Sequence, residues 1–353
     1  MKKSICLLLI LAMLLSFSAC AQNTATTPTT LAPSTTAPNA ATQPTEPQNH
    51  YPITVTDHAG RSVEILAEPQ RLVSGYYISS SALIAMNLDS RLVGIEAKAD
   101  KRAIYAFAAP ALMNLPSVGT AKSFDLEGCI ALEPDLVILP LKLKDAAKTL
   151  EELGIAVLLV NPENQESLND MIRLIGVAAN AEAEATALLD FVSRQEALLQ
   201  QRLSGCNAPS VYLAGNSSLL STAGNAMYQS DLIRLAGGQN VASEITDTYW
   251  VEVSYEQLLT WNPAYIILAS DASYSVEDVL ADPNLSGCNA VVNGKVFRLP
   301  SKAEAWDSPV PSGILGALWL ASVLHPDLLS VADCNGIVDE YYETFYQFTY
   351  SEK

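Results

Sequence analysis

Histidine is almost missing from this chain of 353 residues: there are three, His50, His58 and His325. They fall in a polar stretch, a turn and a helix end, so a site that needs two or three imidazoles on a bare transition metal has nowhere to form. Cysteine offers little more. Of six in all, Cys6 and Cys20 lie near the N-terminus, and Cys129, Cys206, Cys288 and Cys334 are scattered. No C-x-x-C pair occurs, which argues against a zinc site or a redox motif. Cys206 and Cys288 share the setting Ser-Gly-Cys-Asn-Ala. A disulfide between them is conceivable, but unpaired, partly buried thiols are the simpler reading. The nucleophile elbow G-x-S-x-G, the phosphate loop G-x-x-x-x-G-K-[ST], H-E-x-x-H and G-x-G-x-x-G are all absent, and no EF-hand-like spacing occurs. Carboxylate-rich sites stay open.

Positive charge is scarce as well. Twenty Lys and Arg face 38 Asp and Glu, a formal net charge of −18. Nucleic-acid binding needs a basic footprint, and this chain has none. Electrostatic adhesion to anionic lipid is opposed for the same reason, so any membrane attachment must be covalent or through a partner. What is plentiful is apolar: 49% of residues are hydrophobic against 16% charged. The length suffices for two domains with a large buried core.

The N-terminus opens with Lys2 and Lys3, then an apolar run from Ile5 to about Leu15, then small residues before Cys20. That is the pattern of a secretory signal, too short for a comfortable spanning helix. Ser18-Ala19-Cys20 resembles a bacterial lipobox, with residues 1–19 removed and Cys20 lipidated. Phe17 stands where such boxes usually have Leu, and an ordinary signal with Cys20 incidental is the competing reading. Residues 20–50 are mostly Thr, Pro, Ala, Asn and Gln, without apolar periodicity, and cannot bury a core. A flexible tether of this length spans on the order of 30 Å.

Ordered structure is expected from Tyr51. Ile53–Thr56 and Ser62–Ile65 flank a Gly-containing turn and read as a hairpin. Further strands are expected at Arg71–Ser74, Arg91–Ile95, Pro116–Gly119, Leu136–Leu139 and Ala156–Val160, with helices between most of them and a long loop over Glu96–Met113. Strands alternating with helices argue for a parallel sheet sandwiched by helices. From Ala181 to Leu203 there is neither Gly nor Pro, and apolar residues recur at three- and four-residue steps. That predicts one helix of roughly 34 Å at the standard rise. The pattern then resumes with strands at Val211–Ala214 and Lys295–Leu299 and helices at Met227–Ala236, Val276–Leu280, Pro311–Leu324 and Ile337–Tyr350. The aromatics of the last helix are read as core packing.

One unit occurs twice. Asp125 through Leu139 has a helix-capping residue, a first-turn Glu127, Pro134 and an apolar strand; Ser254 through Leu268 repeats these at the same offsets with Glu256 and Pro263. A capping side chain accepts a free N–H, and a first-turn anion suits the helix dipole. The duplication predicts two matched lobes: residues 51–180 and 205–353, joined by the helix at 181–204.

These residues, in this order, resemble the substrate-binding lipoproteins of iron-complex and cobalamin ABC importers. The resemblance is carried by Val55–Val63, Pro69–Val73, Leu92–Gly94, Leu115–Gly119, Leu126–Val137, Asp231–Asn240, Trp250, Val253–Leu259, Asn293–Val296 and Pro309–Pro326, over most of Tyr51–Leu328. It implies an α/β fold of two Rossmann-like lobes with parallel sheets flanked by helices, connected by a single long helix. It implies a monomeric receptor anchored through Cys20 on the extracytoplasmic face, with no enzymatic activity and no cofactor. Its partners would be an ABC permease dimer with cytoplasmic ATPase subunits, met by Glu127 and Glu256, and a small-molecule metal complex. The ligand expected first is a ferric siderophore or haem. Cobalamin or a molybdate-like oxyanion is the alternative, and a tethered surface enzyme or adhesin is more remote.

Open α/β sheets bind ligands beyond the carboxyl ends of their strands. The cleft candidates are therefore Tyr76 and Tyr77 after the first strand; Lys98, Lys101, Arg102 and Tyr105 after the second; and Lys122. The second lobe adds Asn225, Tyr228, Trp250 and Trp306, with Glu304 and Asp307 beside it. Four basic residues between Lys98 and Lys122 in so acidic a chain suggest an anionic ligand, although each also suits a solvated surface.

Overall fold

The computed structural model describes residues 50–246 and 249–353. The expected signal segment, Cys20 and all of the tether except His50 lie outside the described residues.

The chain enters through the hairpin β1 (Ile53–Thr56) and β2 (Ser62–Ile65), then β3 (Leu72–Ser74), α1 (Tyr77–Ala85) and β4 (Leu92–Ile95). Next come α2 (Ala103–Ala108), a small hairpin of β5 (Gly119–Thr120) and β6 (Ser123–Phe124), and α3 (Leu126–Ala131). The first half closes with β7 (Leu136–Pro140), α4 (Lys144–Glu152), β8 (Ala156–Val160) and α5 (Gln165–Ala178). Its sheet has the order β4-β3-β7-β8 and is parallel throughout. Every residue of β7 is buried, as expected of a central strand covered on both faces.

A 21-residue helix, α6 (Glu182–Arg202), follows. It packs on α5 before it and on two helices after it, α7 (Tyr228–Leu235) and α11 (Gly313–Leu324). The second half holds β9 (Ser210–Ala214), β10 (Ser221–Ala223), β11 (Gln239–Asn240), β12 (Trp250–Glu252), α8 (Tyr255–Trp261) and β13 (Tyr265–Leu268). It ends with α9 (Val276–Leu280), α10 (Asn289–Val292), β14 (Val296–Arg298), α11 and α12 (Val331–Tyr346). Its sheet runs β12-β10-β9-β13-β14, with β11 also on β9. The β9, β11, β13 and β14 pairings are parallel, but β10 and β12 are antiparallel. Only the short loop from Gly215 to Leu220 joins β9 to β10, too little chain for the crossover a parallel neighbour needs.

Two further differences have local causes. The expected loop at 96–113 carries α2, because Ala103-Ile-Tyr-Ala-Phe-Ala108 is rich in helix-forming alanine and buries Ile104 and Tyr105. The last helix starts earlier than its aromatic run, at Val331, where Ser330 and Asp333 form a capping box. Its aromatics do pack in the core: Tyr341, Tyr342, Phe345 and Tyr346 are buried, and the helix lies against α1 of the first half. One apolar cluster runs from Leu72 and Ile138 through Phe191 to Val211 and Ile267, so the interior is continuous between the sheets. Cys206 and Cys288 are unpaired, and Cys206 Sγ lies 3.9 Å from His325 Nε2.

The repeated unit is alike down to its backbone. Asp125 Oδ1 accepts from Gly128 N at 2.9 Å, and Ser254 Oγ accepts from Gln257 N at 3.2 Å. In each copy the residue before proline is left-handed, Glu133 at φ 46° and Asn262 at φ 43°. Since each cap satisfies an N–H that would otherwise be unpaired, Asp125→Ala and Ser254→Ala are each expected to cost about 1 kcal/mol. Urea unfolding curves check this, and additive losses are expected because the two caps sit on different sheets' helices.

Candidate functional site

A cavity of about 380 Å³ lies where strand ends of both sheets meet. From the first half it is walled by Tyr77, which opens α1 after β3, and by the run Lys101–Tyr105 after β4. From the second come Asn216 beyond β9, Asp271 beyond β13, and the segment after β14 with Ser301, Glu304 and Ser308. Five strands thus feed one cavity from their carboxyl ends.

Of the two cations in this wall, Lys101 and Arg102, it is Arg102, partly exposed at the start of α2, that is held by neighbouring side chains. Its guanidinium carbon stands 4.2 Å over the Tyr77 ring, a favourable stacking on the ring's negative face. Its Nε donates to Glu96 Oε1 at 3.1 Å. Among the described residues neither Nη has a protein acceptor within hydrogen-bond reach. Glu96 follows directly on β4 and is 5% exposed. The same Oε1 accepts from the Tyr105 hydroxyl at 2.8 Å, and Oε2 accepts from Ser80 Oγ at 2.6 Å. Ser74 Oγ, at the end of β3, lies 2.8 Å from Ser80 Oγ, which can accept from it because the single Ser80 proton goes to Glu96. The network therefore ties the ends of two adjacent parallel strands to the arginine.

Opposite stands Glu304. Its carboxylate accepts from Ser81 Oγ and, at 2.7 Å, from Ser312 Oγ. Burial pushes its pKa above the usual carboxylate range, and the serine bonds and the Arg102 charge counteract only part of that. Burial likewise raises Asp307, although its carboxylate accepts from Ser270 N at 3.3 Å. Burial raises the Tyr77 phenol, which Arg102 partly offsets. The loop that carries Asp271 is fixed by Arg298 at the end of β14, which donates to the Ala272 carbonyl at 2.8 Å.

Of the residues expected in the cleft, Tyr77, Lys101, Arg102, Tyr105 and Glu304 line the cavity. Lys101 stands at the rim, 76% exposed and paired with Asp100 at 3.0 Å. Tyr76 packs edge-on against Tyr77. Lys98 holds a left-handed turn at φ 68°, and Lys122 is exposed beside the β5–β6 hairpin. None of these three lines the cavity. Asn225 is exposed, its N–H donating to the Ile245 carbonyl. Tyr228 and Trp306 belong to the core: they are 4% and 3% exposed, with Tyr228 Oη donating to Gln165 Oε1 and Trp306 Nε1 to Tyr342 Oη. A buried ring with its polar atom satisfied by protein has nothing left to offer a ligand. Trp250 is 41% exposed and lies over Gly215, where a Cβ would come within 2.9 Å of its ring. That places it one residue from Asn216 without lining the cavity. Asn216, Asp271 and Glu96 escaped the sequence reading; the first two follow strands as directly as Tyr77 does, and that rule alone could have found them.

A family model described as periplasmic binding protein matches residues 72–303, a span from β3 past β14 that includes every wall of the cavity but its last turn. The chain belongs to that family. It is 27% identical over 323 residues to the molybdate-binding protein MolA of Haemophilus influenzae, covering 84% of this chain and 91% of that one. The structure of MolA bound to molybdate superimposes with a TM-score of 0.74 at 25% identity, covering 84% and 99%. The vitamin B12-binding protein of Salmonella typhi is 27% identical over 217 residues, covering 61% and 78%. A periplasmic solute binding protein of Veillonella parvula has a TM-score of 0.73 at 28% identity, covering 84% and 93%. This family member is thus an extracytoplasmic solute-binding protein of the kind that serves ABC importers, and its named relatives are binding proteins. No helix among the described residues is long and apolar enough to cross a membrane.

The raised Glu304 predicts a pH signature. The folded state holds this proton more tightly than the unfolded chain, so the associated stability is full below the ordinary Glu pKa and falls as pH rises through the shifted one. Glu304→Gln removes that titration. Thermal melts from pH 4 to 8 are expected to show wild type losing stability relative to the variant as pH rises.

Proposed function

We propose that this protein captures a compact anion between its two sheets and delivers it to an ABC permease, making and breaking no bond. The observation that carries the reading is Arg102 in the cavity wall, stacked, anchored at Nε and, among the described residues, unpaired at both Nη atoms. Two parallel N–H groups in a fixed plane suit two oxygens on one centre, as in a tetrahedral oxyanion or a carboxylate. At about 30 Å³ per water, 380 Å³ would hold an oxyanion with part of its hydration shell. A corrin or porphyrin with its side chains would require the halves to part. The 27% identity to MolA, named for molybdate, leans the same way. An anionic ferric chelate is the second reading. It is favoured by Lys101 at the rim beside Arg102, which widens the positive face beyond what a small oxyanion covers.

In the same proposal Cys20 carries the lipid anchor and residues 20–50 the tether, while Glu127 and Glu256 meet basic residues of the permease. Both glutamates are exposed in the first turns of capped helices, α3 and α8. That mounting aims a charge outward at little conformational cost.

Thermal shift and calorimetry with molybdate, tungstate, ferric siderophores, haem and cobalamin test the ligand. Saturation at a hundred times the dissociation constant adds about 2.7 kcal/mol, and molybdate or tungstate is expected to give it. Arg102→Ala should weaken that binding about 10- to 100-fold, the range for a charged hydrogen bond. Stabilisation by cobalamin alone would overturn the compact-anion reading. Because protonation of Glu304 removes a negative charge from the wall, anion affinity is expected to rise as pH falls through its raised pKa. Glu127→Lys with Glu256→Lys should leave affinity unchanged and abolish uptake in cells; intact uptake removes their docking role.

A further inference from the structure

We infer that Glu96 is the positioning residue of the ligand site: it fixes the Arg102 guanidinium so that both Nη groups, and not Nε, are offered to the bound anion. The inference rests on the anion reading above and names how that site is organised.

Glu96 is a carboxylate at 5% exposure with no solvent to stabilise it. Such a charge persists only when its lone pairs are filled. Here three donors fill them: Arg102 Nε at 3.1 Å and Tyr105 Oη at 2.8 Å on one oxygen, Ser80 Oγ at 2.6 Å on the other. Two of these donors are neutral, so Arg102 is the sole cation within salt-bridge distance of Glu96 among the described residues. The arginine cannot swing away without leaving a buried charge unpaired. A guanidinium has five N–H groups in one plane. With Nε committed and the face laid on Tyr77 at 4.2 Å, its plane and direction are both set before any ligand arrives.

The same contact tunes the charge. A lone arginine in the wall would hold its ligand by net attraction and would accept many anions. Paired with Glu96 the arginine adds little net charge, so a ligand must supply oxygens at the spacing of the two Nη groups to gain the full interaction. Glu96 therefore acts on selectivity as well as on affinity. Its own backbone position makes this possible, because it follows β4 directly while Ser74 ends the neighbouring β3 and Ser80 lies in the helix after it.

The test has one arm that needs no ligand. Nitrogen-resolved NMR of the full extracytoplasmic chain should show the Arg102 Nε–H as a slowly exchanging, shifted signal in wild type that is lost in Glu96→Gln, with the melting temperatures of both recorded to confirm folding. Tyr105→Phe, which removes another donor to the same oxygen, should keep it. The second arm is a double-mutant cycle with molybdate as the probe. Glu96→Gln is expected to weaken binding at least tenfold, and to have no effect when Arg102 is already alanine. A rapidly exchanging Nε–H in wild type would overturn the inference, as would unchanged affinity in Glu96→Gln or a tenfold loss that persists in the Arg102→Ala background. Arg102→Ala binding molybdate as wild type does would instead overturn the anion reading itself.

Discussion

Parallel strands point the same way, and that constraint organises the molecule. In the first sheet all four strands deliver their following segments to one edge; in the second, β9, β13 and β14 do the same. Neither edge is a site alone. The first brings Tyr77 and Arg102, the second Asn216, Asp271 and Glu304, and the cavity exists because the two edges face each other. The continuous apolar interior, with α12 packed back onto α1, holds them in that relation. The cavity is thus a consequence of strand direction: the segments that follow the strands are gathered where the carboxyl ends of both sheets meet.

The electrostatics follow from a shortage. With 38 acids to 20 bases, a basic pocket cannot be built by accumulation. The chain instead places one guanidinium on an aromatic face and a buried carboxylate. The opposing Glu304 is held by serine hydroxyls and pushed toward its neutral form by burial. The result is a wall that offers the direction of one fixed guanidinium and no large excess of positive charge.

Much of the architecture was legible because it obeys local rules. The alternation of strands and helices, the caps at Asp125 and Ser254, and the gap in Gly and Pro that became α6 are all short-range signals. Tyr77 and Arg102 were reachable by the rule that ligand residues follow strands. Tyr228 and Trp306 follow the same rule and yet are core, because neighbouring Gln165 and Tyr342 consume their polar atoms. Which side of a segment meets the cavity is decided by partners distant in sequence, and no periodicity in one chain reports that. Glu96 was hidden for the same reason. In sequence it is one more acid in an acidic chain, and only the meeting of Ser80, Arg102 and Tyr105 around it gives it a role.

The duplicated unit carries the argument one step further. Its two copies share the cap, the first-turn glutamate and the left-handed residue before proline, yet they lie outside the cavity wall. Their likeness cannot reflect a common ligand contact. A helix start fixed by a side-chain cap on one end and a proline-terminated turn on the other is held rigidly to the strand that follows, β7 or β13. Each glutamate is therefore held in a fixed relation to its own sheet. If the two sheets shift when the cavity fills, the separation of Glu127 and Glu256 must change with them. The two charges thus form a pair whose spacing is set by the relation of the two sheets and not by any contact with the cavity.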